Sequence, residues 1–313
     1  LLAHDSDAFN RWEAGRTLAR QSLLATLREG ASPDTAWLDA LRDLLGDEDL
    51  EPAYRALMLG LPSQADLAGA LHDAGLTPDP EAIHKAVETT RDAMAAHFEE
   101  SLAKLYERHR VTGSYRPDAE QSDKRALTNA ALSLLARVEG PARAQAQYDA
   151  ADNMTEQLAA LSVLVRDGYG DKALTDFEAQ WRDDRLVMDK WFALQVAQAG
   201  PQKAAETAKR LTEHADFNWK NPNRFRAVFG SLAMHHAGFH YESGAGYALL
   251  ADWLIKLDPV NPQTTARMCS AFQTWRRYDA DRQGKIGKEL DRILANPALS
   301  RDTSEMVSRI RDA

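Results

Sequence analysis

The chain is 313 residues long, with 44% hydrophobic and 27% charged residues, which is ample material for a buried core and describes a soluble globular protein. A formal net charge of −9, with no basic run to offset it, argues against a nucleic-acid partner. A single cysteine, Cys269, excludes an internal disulfide and favours a reducing, cytoplasmic compartment, and no apolar run approaches the roughly 20 residues that span a bilayer.

The chain opens at Leu1-Leu2-Ala3-His4-Asp5, with neither an initiator Met nor a basic stretch followed by an apolar one. This is not a signal peptide, and the expectation is a cut made inside a longer protein. Ser6 or Asp7 starts a helix through Phe9, Trp12, Leu18 and Leu23 that ends near Gly30, and Ser32-Pro33 starts another that runs to Gly46. Ser63-Gln64-Ala65-Asp66 has the pattern of a capping box, with Gly75 closing its helix. Pro80 opens a long helix to about Arg110, whose inner face carries Ile83, Val87, Met94, Phe98, Leu102 and Leu105.

Residues 112–121 combine Gly113, Pro117 and several polar side chains between two strong helices, so a subdomain boundary is expected there. Ser122 or Asp123 opens the following helix through Leu127, Leu132 and Leu135, which Gly140-Pro141 stops. Helices are then expected near 141–151, 153–166, 171–183, 186–199, 201–214, 222–236, 246–257, 262–278, 280–295 and 301–312. About fifteen helices of roughly 10–15 residues, with short connections and no period-2 strands, predict an all-α fold. The architecture expected is an irregular, ARM/HEAT-like α-solenoid of antiparallel helical hairpins, without the fixed spacing of a tetratricopeptide or ankyrin array.

Chemistry is sparse. Only His236 and His240 stand at a metal-ligand spacing, but Ala237 occupies the place of a zinc peptidase's glutamate, so no metal site is expected. Gly244-Ala245-Gly246-Tyr247 follows no strand and reads as a tight turn, and Cys269 reads as core between Met268 and Phe272. The stretch Asn221-Pro222-Asn223-Arg224-Phe225-Arg226 reads as a sharp helix start, with Asn221 as cap and Pro222 at the first helical position. Arg224 and Arg226 lie about 200° apart around such a helix, so one can pair within the fold while the other points outward.

Phe9-Asn10-Arg11-Trp12, Lys124-Arg125-Ala126-Leu127-Thr128-Asn129-Ala130, Asn153-Met154-Thr155 and Leu186-Val187-Met188-Asp189-Lys190-Trp191-Phe192 recur as motifs of one family. So do the 221–226 stretch, Asn261-Pro262-Gln263 with Arg267, and Arg277-Tyr278-Asp279 with Arg282-Gln283. Through these the chain resembles the C-terminal helical domain of bacterial aminopeptidase N, a family of zinc metallopeptidases of the gluzincin class. The matches run in order, so residues 1–313 are read as one such domain.

The resemblance implies a cap that closes over the active-site chamber of a cytoplasmic aminopeptidase, which removes N-terminal residues from peptides. It also implies that the catalytic residues and the Zn²⁺ belong to other domains of the same polypeptide, leaving this chain without a catalytic centre, metal or cofactor. Its partners would be those catalytic and N-terminal domains and peptide substrates, with no nucleic acid and no membrane. Arg226 and Arg267 correspond to two chamber-lining arginines of the family, whereas Arg224 is expected to pair with a carboxylate inside the stack. The alternative is a free-standing helical scaffold that binds a protein or peptide without chemistry.

Overall fold

A computed structural model describes residue 2 and residues 5–312. Leu1, Ala3 and His4, at the start read above as a cut, lie outside the described residues, as does Ala313. The chain forms α1 (Ala8–Glu29), α2 (Thr35–Gly46), α3 (Pro52–Met58), α4 (Gln64–Asp73), α5 (Pro80–His109) and α6 (Ala119–Glu139). It continues through α7 (Ala142–Ala150), α8 (Met154–Arg166), α9 (Asp171–Trp181), α10 (Arg185–Ala197), α11 (Ala204–Leu211) and α12 (Pro222–Phe225). The last elements are α13 (Ser231–Met234), α14 (His236–Phe239), α15 (Ala245–Leu257), α16 (Pro262–Cys269), α17 (Ala280–Leu294) and α18 (Arg301–Asp312). No strand occurs among the described residues, so the fold is all-α.

The chain divides into two compact units, one of Leu1–Leu67 with Ala82–Leu174 and the other of Ala68–Glu81 with Thr175–Ala313. The loop at 112–121, where a subdomain boundary is expected from sequence, lies inside the first unit. It is tied down rather than hinged. Gln121 Nε2 donates to the Ser114 carbonyl at 3.1 Å, and Arg125 Nη2 donates to the Arg116 carbonyl at 3.2 Å. Both side chains are buried, which spends a polar loop's hydrogen-bonding groups on the helix that follows it.

In the first unit, Asp7 caps α1 and Asp34 caps α2, each accepting from the backbone N–H groups of the first turn. Ser63 Oγ accepts from the Asp66 N–H at 3.1 Å, which is half of the capping box read in the sequence. Asp118, not Ser122 or Asp123, caps α6, so that helix starts one turn earlier than expected. The short α3 has no counterpart in the sequence reading, since seven residues hold too little periodicity to register. The inner stripe of α5 is buried along its length, and so are Leu127, Leu132 and Leu135 on α6. Around them α6 packs on α3, α7 and α8.

The second unit is built around aromatic side chains. Phe225, Phe229 and Phe192 are fully buried, and Phe217 meets Trp253 edge-on at 5.4 Å. The helix expected over 222–236 breaks into α12, a π-helical turn at Arg226–Gly230 and α13, and the chain leaves the helix at His235. The helix expected over 262–278 stops at Cys269 and continues as 3₁₀ turns at Ser270–Phe272 and Trp275–Arg277. Gly244 takes a left-handed φ of 72°, and a Cβ at Gly246 would sit 2.8 Å from the Phe239 carbonyl oxygen. That double-glycine stretch is a turn and a close backbone approach. Cys269 is fully buried, and burial pushes its thiol up to about 12.

Candidate functional site

The site residues expected from sequence all fall in the second unit, on or close after two helices that begin in the same way, with Arg267 in the last turn of the second. Asn221 Oδ1 accepts from the Asn223 N–H at 2.9 Å with Pro222 at the first helical position. Asn261 Oδ1 accepts from the Thr264 N–H at 3.0 Å with Pro262 in the equivalent place. In each, the asparagine satisfies a free N–H and the proline has none to lose, so the helix begins abruptly.

Arg224 turns inward and is 5% exposed. Its Nε donates to Asp189 Oδ1 at 2.5 Å, Nη1 to the Asp216 carbonyl at 2.6 Å and Nη2 to the Arg185 carbonyl at 3.4 Å. The guanidinium also lies 4.5 Å over the Phe192 ring. Asp189 and Phe192 belong to the Leu186–Phe192 motif on α10, so two of the motifs read in the sequence meet in one buried ion pair.

Arg226 turns outward and is exposed. Its Nε donates to the Pro222 carbonyl at 3.2 Å and its Nη2 to Asn223 Oδ1 at 2.6 Å. Nη1 makes no hydrogen bond among the described residues, so one edge of the fork stays open. Arg226 also opens the π-helical turn, a geometry with one extra residue that is concentrated at functional sites. Arg267 is exposed between the buried Ala266 and Met268, and its side chain makes no hydrogen bond or ion pair among the described residues.

His236 and His240 are buried and bonded to tyrosines, not poised as metal ligands. His236 Nε2 lies 3.0 Å from Tyr278 Oη and His240 Nδ1 lies 2.9 Å from Tyr247 Oη. Burial first, then the charges of His235 and Arg282, pushes His236 down to about 4, and burial holds His240 well below the usual range.

Sequence spacing missed a third cluster, because its members come from α9 and from the loop after α11. One ligand atom each of Glu178, His214 and Asp216 lies within 4.8 Å of the others, close enough to hold a metal ion. Two observations make it an ion-pair cluster instead. His214 Nδ1 accepts from the Asp216 N–H at 3.1 Å, which leaves the ring proton on Nε2, facing Glu178 Oε1 at 3.3 Å. Arg182 already supplies the cation, 2.9 Å from Glu178 and 3.4 Å from Asp216.

Comparison with known proteins brings these helix starts into a family. The family described as "Domain of unknown function (DUF3458_C) ARM repeats" matches residues 1–312. Aminopeptidase N of Caulobacter vibrioides is 40% identical over 99% of the chain, and that of Escherichia coli is 34% identical over 99%. The chain spans only 36% of the length of each. Among solved structures, Legionella pneumophila aminopeptidase A in complex with aspartic acid superposes with a TM-score of 0.89 at 27% identity. That match covers 99% of this chain and 38% of the other.

Proposed function

Because the chain belongs to the DUF3458_C family of ARM-repeat domains, we propose that it is the helical cap of a zinc-dependent aminopeptidase. The carrying observation is the proportion of the matches: 99% of this chain aligns with aminopeptidase N relatives, yet it accounts for only 36% of their length. The parent removes N-terminal residues from peptides, and the zinc and the catalytic residues lie in the part of it outside this chain. The cap encloses the chamber, restricts access to peptides and works against the catalytic and N-terminal domains of the same polypeptide. A dry, enclosed site also strengthens the electrostatic contacts made within it.

Arg226 and Arg267 line that chamber in this reading. Both are exposed, Arg226 directly after the turn that Asn221-Pro222 opens and Arg267 in the last turn of α16, and Arg226 keeps an open edge of its planar fork, the geometry that grips a carboxylate or carbonyl. Phe9 and Leu186, large apolar side chains left exposed, are available for contact with the rest of the parent. The lone buried cysteine fits a cytoplasmic parent.

The test is made on the chain alone, with metal analysis and an aminoacyl-arylamide assay. The expected result is no turnover and no stoichiometric zinc, with both present in the full-length parent. Turnover by the purified chain that survives removal of contaminating peptidases, or about one zinc per chain, overturns the assignment.

A further inference from the structure

Arg125, in the first unit, is 3% exposed, yet no carboxylate comes within ion-pairing distance of its guanidinium among the described residues. It donates instead to neutral oxygens, Gln121 Oε1 at 3.0 Å and the Arg116 carbonyl at 3.2 Å, under the ring of Tyr115 at 4.9 Å. The neighbouring Asp118 is engaged by Arg116 at 2.7 Å. Arginine is seldom buried without an anion, because desolvating the charge is costly unless a counter-charge compensates.

Arg125 also lines a cleft of about 250 Å³, together with Arg110, Tyr106, Tyr115, Asp152 and Glu156. The two carboxylates are gathered by one side chain. Asn153 Nδ2 donates to Asp152 Oδ1 at 3.0 Å and to Glu156 Oε2. Arg125 and Asn153 come from two motifs that the chamber reading leaves unused, one on α6 and one capping α8. The cleft thus holds two cations, two anions and two aromatic rings; Arg110 is paired with Glu107 at 3.6 Å, whereas the buried Arg125 has no carboxylate in direct contact and feels Asp118 only at longer range.

We propose that this cleft binds a small zwitterion, a free amino acid or a dipeptide. Its α-carboxylate pairs with Arg125 and Arg110, and its α-ammonium pairs with Glu156 and Asp152. A multiply charged anion such as phosphate meets the two carboxylates, and a simple cation meets the two arginines, so neither suits the lining. The volume lies just below the roughly 300 Å³ at which drug-sized sites begin, which fits a ligand of this size. The proposal does not depend on the chamber reading, since every residue in it belongs to the first unit.

Calorimetric titration of the chain with L-phenylalanine, L-leucine and glycyl-phenylalanine tests it, with N-acetyl and C-terminal amide derivatives and inorganic phosphate as controls. The expected result is saturable one-to-one binding of the free zwitterions, weakened about tenfold or more when either end is blocked. Glu156→Gln, which keeps the helix-cap geometry, should weaken binding by a similar factor, and Ala151→Phe should abolish it by filling the cleft. Circular dichroism confirms that each variant is folded, and Glu156→Gln decides the matter if Ala151→Phe is not. Absence of saturable binding, equal binding of blocked derivatives or phosphate, or unchanged binding in folded variants overturns the proposal.

Discussion

Two positions separate Arg224 from Arg226, and the helix turns them about 200° apart. The first is buried against Asp189 and Phe192, and the second is exposed and bonded only to its own helix start. Removing Arg224 leaves Asp189 without its partner in a mostly buried place, so Arg224→Ala should lower stability by about 3 kcal/mol in urea unfolding. In the parent it should depress peptide and arylamide turnover alike. A variant as stable as the wild type would show that the pair contributes nothing. His236 makes a second prediction at this scale. The folded chain holds it at about 4, against 6.5 for an unperturbed histidine. Between those values the unfolded chain binds the proton and the folded one does not, so stability is complete above pH 6.5 and is lost as pH falls toward 4. The loss is roughly 3 kcal/mol from this residue, with His240 adding in the same direction. Unfolding midpoints measured from pH 7 to pH 4 should fall accordingly, and His236→Gln should flatten the slope. An unchanged slope would mean that the histidine is already charged in the fold.

At the scale of elements, the Asn-Pro helix starts and the glycine turn set the second unit's geometry. Asn261→Ala removes the side-chain acceptor for the Thr264 N–H and should cost about 1 kcal/mol. Gly246→Ala forces a Cβ to within 2.8 Å of a backbone oxygen that cannot move aside as a side chain would, and should cost more than the cap. Thermal melts of the two variants check this order, and a Gly246→Ala protein as stable as wild type contradicts the close approach. These elements were legible in the sequence because caps, glycines and apolar periodicity are local signals. The stripe from Ile83 to Leu105 and the buried leucines of α6 could be read for the same reason. What local pattern does not carry is where packing interrupts a helix. The π-helical turn at Arg226–Gly230 and the stop at Cys269 interrupt stretches whose periodicity runs straight through both. The 112–121 loop shows the converse. Its composition marks a break, but the buried Gln121 and Arg125 fasten it to α6.

At the scale of the whole molecule, the division into two units and the clusters at Glu178 and Arg125 rest on residues far apart in sequence, which spacing alone does not connect. The inward and outward arginines were separable from helix geometry, but Arg226 and Arg267 as a pair came from family resemblance, since nothing local distinguishes an exposed arginine that binds substrate from one that does not. Their role is the central claim. If they grip the peptide beyond the scissile bond, removing either loses a charged hydrogen bond to long substrates only. The deciding measurement is kcat/KM of the full-length enzyme with Arg226→Ala and Arg267→Ala, on a tetrapeptide and on a single-residue arylamide. A lost charged hydrogen bond of about 1.5–3 kcal/mol predicts a fall of roughly ten- to a hundredfold on the peptide and little change on the arylamide. Zinc content and melting temperature should stay as in the wild type. An unaltered peptide-to-arylamide ratio in both variants contradicts the account and makes the two arginines ordinary surface residues.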